Sequence, residues 1–138
     1  MKISARVNNR QAQHQVTLDT NGKTQTLDIA PRATGFGSSV NGGELLFLAL
    51  ATCYCNDLYR EAAKRGLDVS GVEVEVEGEF PTEGQGASNV TYRVKVAGSG
   101  DEAALRALME YTDQVTEIQN TLRVGTPVQL SQVEVVRQ

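Results

Sequence analysis

The stretch Asn41-Gly-Gly-Glu-Leu-Leu-Phe-Leu-Ala-Leu-Ala-Thr-Cys-Tyr-Cys55 decides the fold. It reads as the opening of a long helix that continues through Asn56-Asp-Leu-Tyr-Arg-Glu-Ala-Ala-Lys-Arg65 and stops at Gly66, spanning 42–66. Asn41 can cap the first turn, and Glu44 can reach back to complete a capping box. Lys64 and Arg65 suit the carbonyl end, and Gly66 supplies a left-handed residue after it. Such a helix is roughly 35 Å long, about the width of a small domain. From Leu45 to Cys53 only Thr52 is polar. A helix segment that is apolar all round is expected to be buried on every side. Beyond it, Leu58, Ala62 and Ala63 oppose Asp57, Arg60, Glu61, Lys64 and Arg65, an amphipathic pattern that reaches the surface. Both cysteines lie at the changeover, as small core residues or as reactive groups.

Either side of this helix the chain alternates. Ile3 to Asn8, His14 to Thr20 and Lys23 to Ala30 read as three antiparallel strands within residues 1–30, with Asn21-Gly22 as a tight hairpin turn. The Gly/Ser-rich loop from Pro31 to Val40 holds Phe36 between two glycines. An aromatic there lines a pocket or plugs the core, the plug being the plainer reading. In 69–98, Val72, Val74 and Val76 alternate with Glu73, Glu75 and Glu77, so the glutamates form a solvated face rather than paired catalytic acids. Val90, Tyr92, Val94 and Val96 alternate with Thr91, Arg93 and Lys95, which suits cross-strand pairing with those glutamates.

Asp101 caps a second helical region, 101–122, with Ala104, Leu105, Leu108, Met109 and Tyr111 as its core stripe. A last strand is expected over 127–136, with a β-bulge near Ser131-Gln132 where the apolar period slips. The order is βββ-α-ββ-α-β: an α+β single domain over 1–138, with two helices on a curved antiparallel sheet. One small sheet covers only one side of an all-apolar helix. The same helix from a second copy is the natural cover, which predicts an obligate homodimer.

With 138 residues and a net charge of −4, the chain is a poor partner for nucleic acid, whose phosphates need a basic face. No apolar run approaches the roughly 20 residues of a membrane span, and Met1-Lys2-Ile3-Ser4 begins no signal peptide. The expectation is a cytoplasmic protein that engages no membrane, in a reducing compartment. Cys53-x-Cys55 with His14 falls short of the four ligands of a structural zinc site, so no metal is expected. Residues i and i+2 of a helix point about 200° apart, which argues against a Cys53–Cys55 disulfide.

A helix opening Asn-x-x-Glu-Leu-Leu, then Ala-Leu-Ala-x-Cys-Tyr, ending before Leu-Asp-Val and a Val-Glu-Val-Glu-Val strand, resembles the OsmC/Ohr family. These are the osmotically inducible and organic-hydroperoxide-resistance proteins. The resemblance implies an intertwined homodimer with paired central helices and thiol-dependent reduction of hydroperoxides at the subunit interface. It matches the attacking cysteine to Cys53 and puts the second cysteine's position at Thr116, in Val115-Thr-Glu-Ile118, where no cysteine stands. The family's supporting glutamate falls at Gly43, with Glu44 one step round the helix. Its arginine is best matched by Arg10, with Arg6 also in range.

Two readings follow. One is an enzyme of oxidative-stress defence, reducing organic or hydrogen peroxides through Cys53 with Arg10 and Glu44 in support. Phe36, Leu46 and Thr116 would line its substrate pocket, and an external thiol reductant rather than a bound cofactor would complete turnover. The other is a lapsed OsmC-like dimer that binds a small hydrophobic ligand or senses oxidation.

Overall fold

A computed structural model describes residues 1–138. The alternating N-terminal segments form β1 (Ile3–Arg10), β2 (Gln13–Thr20) and β3 (Lys23–Thr26), an antiparallel sheet in that order. Asn21 and Gly22 both have positive φ, 51° and 84°, as the hairpin between β2 and β3 requires. Of this sheet only Val16 is fully buried. β3 is shorter than expected. Its pairing continues through the Leu27 N–H to the Val16 carbonyl and ends before Ile29. The loop after it closes on itself through an isolated bridge between Pro31 and Ser38. Asn9 on β1 clamps that loop, accepting from the Gly37 N–H at 3.0 Å and donating to its carbonyl at 3.1 Å.

The long helix, α1 (Gly42–Lys64), starts as its sequence requires. The Asn41 side chain accepts from the Glu44 N–H at 2.8 Å, and the Glu44 carboxylate accepts from the Asn41 N–H at 3.0 Å. The capping box is closed in both directions. Gly66, at φ +63°, ends the helix, and the Leu67 N–H returns to the Ala62 carbonyl at 2.9 Å.

The chain forms two compact units, Met1–Leu46 and Phe47–Gln138, with the division inside α1. In the second unit, β4 (Asp68–Glu79) and β5 (Ser88–Ser99) form an antiparallel ribbon that opposes Glu73 to Lys95 and Glu75 to Arg93. Arg93 bonds Glu75 directly, as the alternation predicts. α2 (Glu102–Val115) and α3 (Glu117–Arg123) follow, with the Asp101 carboxylate accepting from the Ala103 and Ala104 N–H groups. The core is Tyr54, Leu58 and Ala62 of α1 packed with Leu108 of α2. Val72 and Val74 of β4 and Tyr92, Val94 and Val96 of β5 lie against it.

The architecture is α+β with antiparallel sheets, as expected, but four expectations need correction. There are two separate sheets, of three and two strands, instead of one curved sheet. Burial on α1 falls on its second half, at Tyr54, Asp57, Leu58, Glu61 and Ala62, preceded by Leu50. The apolar first half is not enclosed, and Leu48 is 58% exposed. Residues 127–136 form no strand. Val128 and Leu130 are 97% and 85% exposed, for an extended segment becomes a strand only beside another strand's free edge. Tyr111 is exposed as well, lying under the Arg65 guanidinium, 4.5 Å from its ring centre, rather than in the core stripe.

Glu61 accepts from Arg60, Lys64 and Arg65. These cations, Lys64 foremost, hold its carboxyl down at about 2, from an ordinary 4.5. A carboxylate depressed by folding contributes stability above its unfolded pKa and loses it as pH falls through the folded one. Glu61→Gln is therefore expected to lower the urea midpoint at pH 7 and to flatten its decline between about 4.5 and about 2. Asn41→Ala opens the capping box and is expected to cost about 1 kcal/mol in the same assay.

Candidate functional site

Cys53 and Asp57 are four residues apart on α1 and so share one face of the helix. That face meets the junction between α2 and α3. A single extended residue, Thr116 (φ −71°, ψ 113°), breaks the two helices apart. Its hydroxyl donates to the Asp113 carbonyl at 3.1 Å, and its side chain is fully buried. The junction is held from three directions. Tyr92 of β5 donates to the Asp113 carboxylate, Arg123 of α3 pairs with the same carboxylate at 2.6 Å, and Gln119 of α3 donates to the Leu50 carbonyl of α1 at 2.9 Å. Gln119 Oε1 is buried without a partner of its own.

This scaffold brings three donor-type side chains together. Cys53 Sγ lies 3.4 Å from Asp57 Oδ2 and 3.7 Å from Glu117 Oε2, two alternative acceptors for its one S–H. Arg60 holds the far side of each carboxylate, at 2.9 Å from Asp57 Oδ1 and 3.7 Å from Glu117 Oε1. The thiol thus meets the carboxylates, and the guanidinium meets the carboxylates from behind.

The electrostatics follow from that order. Burial pushes the Cys53 thiol up from its ordinary 9.0, opposed by a hydrogen bond from the Ile118 N–H and reinforced by the negative charges of Asp57 and Glu117. Asp57 is also raised, by burial and then by Glu117. Glu117 is lowered, first by its own backbone N–H and then by hydrogen bonding with Asp57. At neutral pH the cluster is a protonated thiol beside acceptors, not a thiolate beside a cation.

The sulfur and carboxylate oxygens of Cys53, Asp57 and Glu117 lie within 4.8 Å of one another, which suits a metal ion in principle. They number three, and Arg60 already compensates the two carboxylates. The donor set is better fitted to moving a proton than to the four-ligand cage of a structural metal.

Of the residues expected from the sequence, the structure brings Cys53 to the junction that carries Thr116. Thr116 itself turns away to Asp113, and its neighbour Glu117 reaches the sulfur. Arg10, Glu44, Phe36 and Leu46 belong to the first unit. Arg10 closes β1 opposite Gln13 and is exposed. Glu44 is committed to the helix cap. Phe36 is 64% exposed, so the plug reading fails: the pinned loop turns its aromatic outward. Leu46 is half-buried on α1. Both cysteines are free. Cys55 sits on another face of α1, in a shallow depression of about 260 Å³ with Ala51, Val72 and Val74, as the divergence of i and i+2 side chains requires.

The sequence reading missed Asp57, Arg60 and Glu117 as site residues. The i,i+4 spacing from Cys53 to Asp57 was a usable signal. Glu117, 64 residues from Cys53, had none beyond its place next to Thr116.

A mixed α+β chain with this element order has the architecture of an OsmC-like protein. Three solved structures share the fold. An OsmC-like protein from Mycoplasma pneumoniae is 21% identical, with a TM-score of 0.59 over 88% of this chain and 86% of that one. An organic hydroperoxide resistance protein OsmC from Legionella pneumophila is also 21% identical, with a TM-score of 0.60 over 89% and 90%. An OsmC-like protein of unknown function from Vibrio cholerae is 18% identical, with a TM-score of 0.60 over 88% and 93%. Comparison with curated proteins gives no significant match. The sequence pattern of the OsmC-like protein family matches residues 35–131, so the chain belongs to that family.

Removing a neighbouring negative charge favours a thiolate. Spectroscopic titration of Cys53 in a Cys55→Ser background is expected to give a pKa above 9.0, moving down in Glu117→Gln.

Proposed function

We propose that this chain is a one-cysteine peroxidase of oxidative-stress defence that reduces organic or hydrogen peroxides through Cys53. The observation that carries this reading is the position of Cys53. It is the residue that matches the family's attacking cysteine, and its thiol meets the α2–α3 junction and the Asp57–Glu117 pair. In the reaction the sulfur attacks one peroxide oxygen, the O–O bond breaks, and Cys–SH plus ROOH become Cys–SOH plus ROH. One external thiol then converts the sulfenic acid to a mixed disulfide with loss of water, and a second releases Cys53 as the thiol. Cys55, on its separate face, takes no part.

The wider family theme, which includes a relative named for organic hydroperoxide resistance, supports the substrate class. Arg10 and Glu44 as supporting charges, and Thr116 as a substrate contact, rest on the family pattern, and Phe36 and Leu46 as substrate contacts on their apolar side chains. The uncovered first half of α1 and the exposed apolar residues of 127–136 support a homodimer. No helix is long and apolar enough to cross a membrane, which accords with a cytoplasmic enzyme. One observation favours the second reading, a lapsed ligand-binding dimer: the Cys53 thiol is pushed up, away from the reactive anion.

Treating the reduced protein with one equivalent of cumene hydroperoxide and reading the intact mass decides between them. The expected product carries one extra oxygen, absent in Cys53→Ser. An unchanged mass would remove the enzyme and leave the ligand-binding dimer. In sedimentation equilibrium the protein is expected to have twice the chain mass.

A further inference from the structure

We propose that Asp57 is the general base of Cys53: it takes the thiol proton as sulfur attacks and delivers it to the departing alkoxide. The inference rests on the peroxidase reading above and concerns how a thiol in this setting can react at all. The usual route to a reactive cysteine is a nearby cation that favours the anion. Here every side chain that meets Sγ is an acceptor, Asp57 from its own helix and Glu117 from α3. The Arg60 guanidinium is directed at the outer oxygens of those carboxylates. That arrangement disfavours a standing thiolate and favours transfer of its proton at the moment of attack.

Geometry selects Asp57 over Glu117. Its Oδ2 is the closer acceptor, at 3.4 Å against 3.7 Å. Asp57 is buried and fixed by the i,i+3 pair with Arg60, whereas the Glu117 side chain is 67% exposed. Arg60 is a positioning residue: its bond to Oδ1 leaves Oδ2 aimed at the sulfur. The step balances. The S–H proton moves to Asp57, the S–O bond forms as the O–O bond breaks, and the proton passes to RO⁻. Sulfur is oxidised by two electrons and the peroxide reduced by two, with Asp57 returned as the carboxylate.

The test separates a base from a mere electrostatic brake, because the two predict opposite signs. Single-turnover oxidation by cumene hydroperoxide, in EDTA at pH 7, would be followed in the wild type, Asp57→Asn and Glu117→Gln. A base implies that Asp57→Asn reacts at least about tenfold slower, although it has lost a negative charge beside the thiol. The same loss of charge in Glu117→Gln, which leaves the closer acceptor in place, should instead speed the reaction. Asp57→Asn reacting as fast as the wild type, or faster, overturns the proposal and leaves the peroxidase intact. A wild type inert to peroxide overturns the peroxidase reading, and this one with it.

Should Asp57→Asn fail to fold, the pH profile of the wild type decides. Where Asp57 is ionised and Cys53 still protonated, general-base attack gives a rate independent of pH. Attack by free thiolate rises about tenfold per pH unit below the thiol pKa, and such a slope would refute the base.

Discussion

The packing of Tyr54, Leu58 and Ala62 against Leu108 fixes the rotation of α1, and the site depends on that rotation. These positions lie on one helical stripe, and Cys53 and Asp57 lie beside it. Turn the helix by two residues, about 200°, and the thiol would face the β4–β5 ribbon, as Cys55 does. The Tyr54 hydroxyl adds direction to what apolar packing alone leaves loose, donating to the Met109 carbonyl at 2.8 Å. A buried donor must find a partner, and the bond to this carbonyl constrains both the depth and the angle of α1 against α2. The same bond explains why this phenol is a packing group. Burial, with Asp113 nearby, pushes it up to about 12, out of range for acid chemistry at neutral pH.

The charges on α1 divide by neighbourhood rather than by sign. Glu61 and Asp57 are both buried carboxylates, four residues apart. Glu61 collects three cations and is firmly ionised. Asp57 has only Arg60, shared with Glu117, and faces a neutral thiol. Burial and the neighbouring Glu117 push the Asp57 carboxyl up, toward holding a proton, whereas three cations keep Glu61 ionised. Arg60 bonds both residues, so it links a structural cluster to a chemical one.

What was legible in the sequence was local. Asn41 with Glu44, Asn21 with Gly22, Gly66 and the Val/Glu alternation of β4 each state their geometry within a few residues, and each forms as read. Cys53 was legible through the family pattern, and its divergence from Cys55 through helical periodicity. Its neighbourhood was not. The arginine sought in the N-terminal strands was a remote partner, while Arg60 stood two turns along the same helix. Glu117 reaches the sulfur beside the helix break at Thr116, and the tertiary bonds that hold that junction are those of Tyr92 to Asp113 and Gln119 to Leu50. The expected strand over 127–136 has the alternation of a strand but pairs with no other strand, and alternation alone does not make one.

The two halves of α1 therefore serve different ends, with Leu50 at the division. From Leu50 onward the helix is held by its own chain. Before it, Leu48 presents apolar surface that the single chain leaves in water. Leu48 precedes Cys53 by five residues, roughly 8 Å along the axis. Leu48 also lies about 140° round the helix from Cys53, so a cover over the first half reaches the thiol only by wrapping round that side. In a homodimer whose contact wraps that far, the hydrophobic drive to cover the helix and the exclusion of water from the sulfur would be consequences of one contact. A thiol that stays protonated until its base acts gains most from such cover, because excluding water strengthens its bond to Asp57 without requiring a standing charge in the dry site.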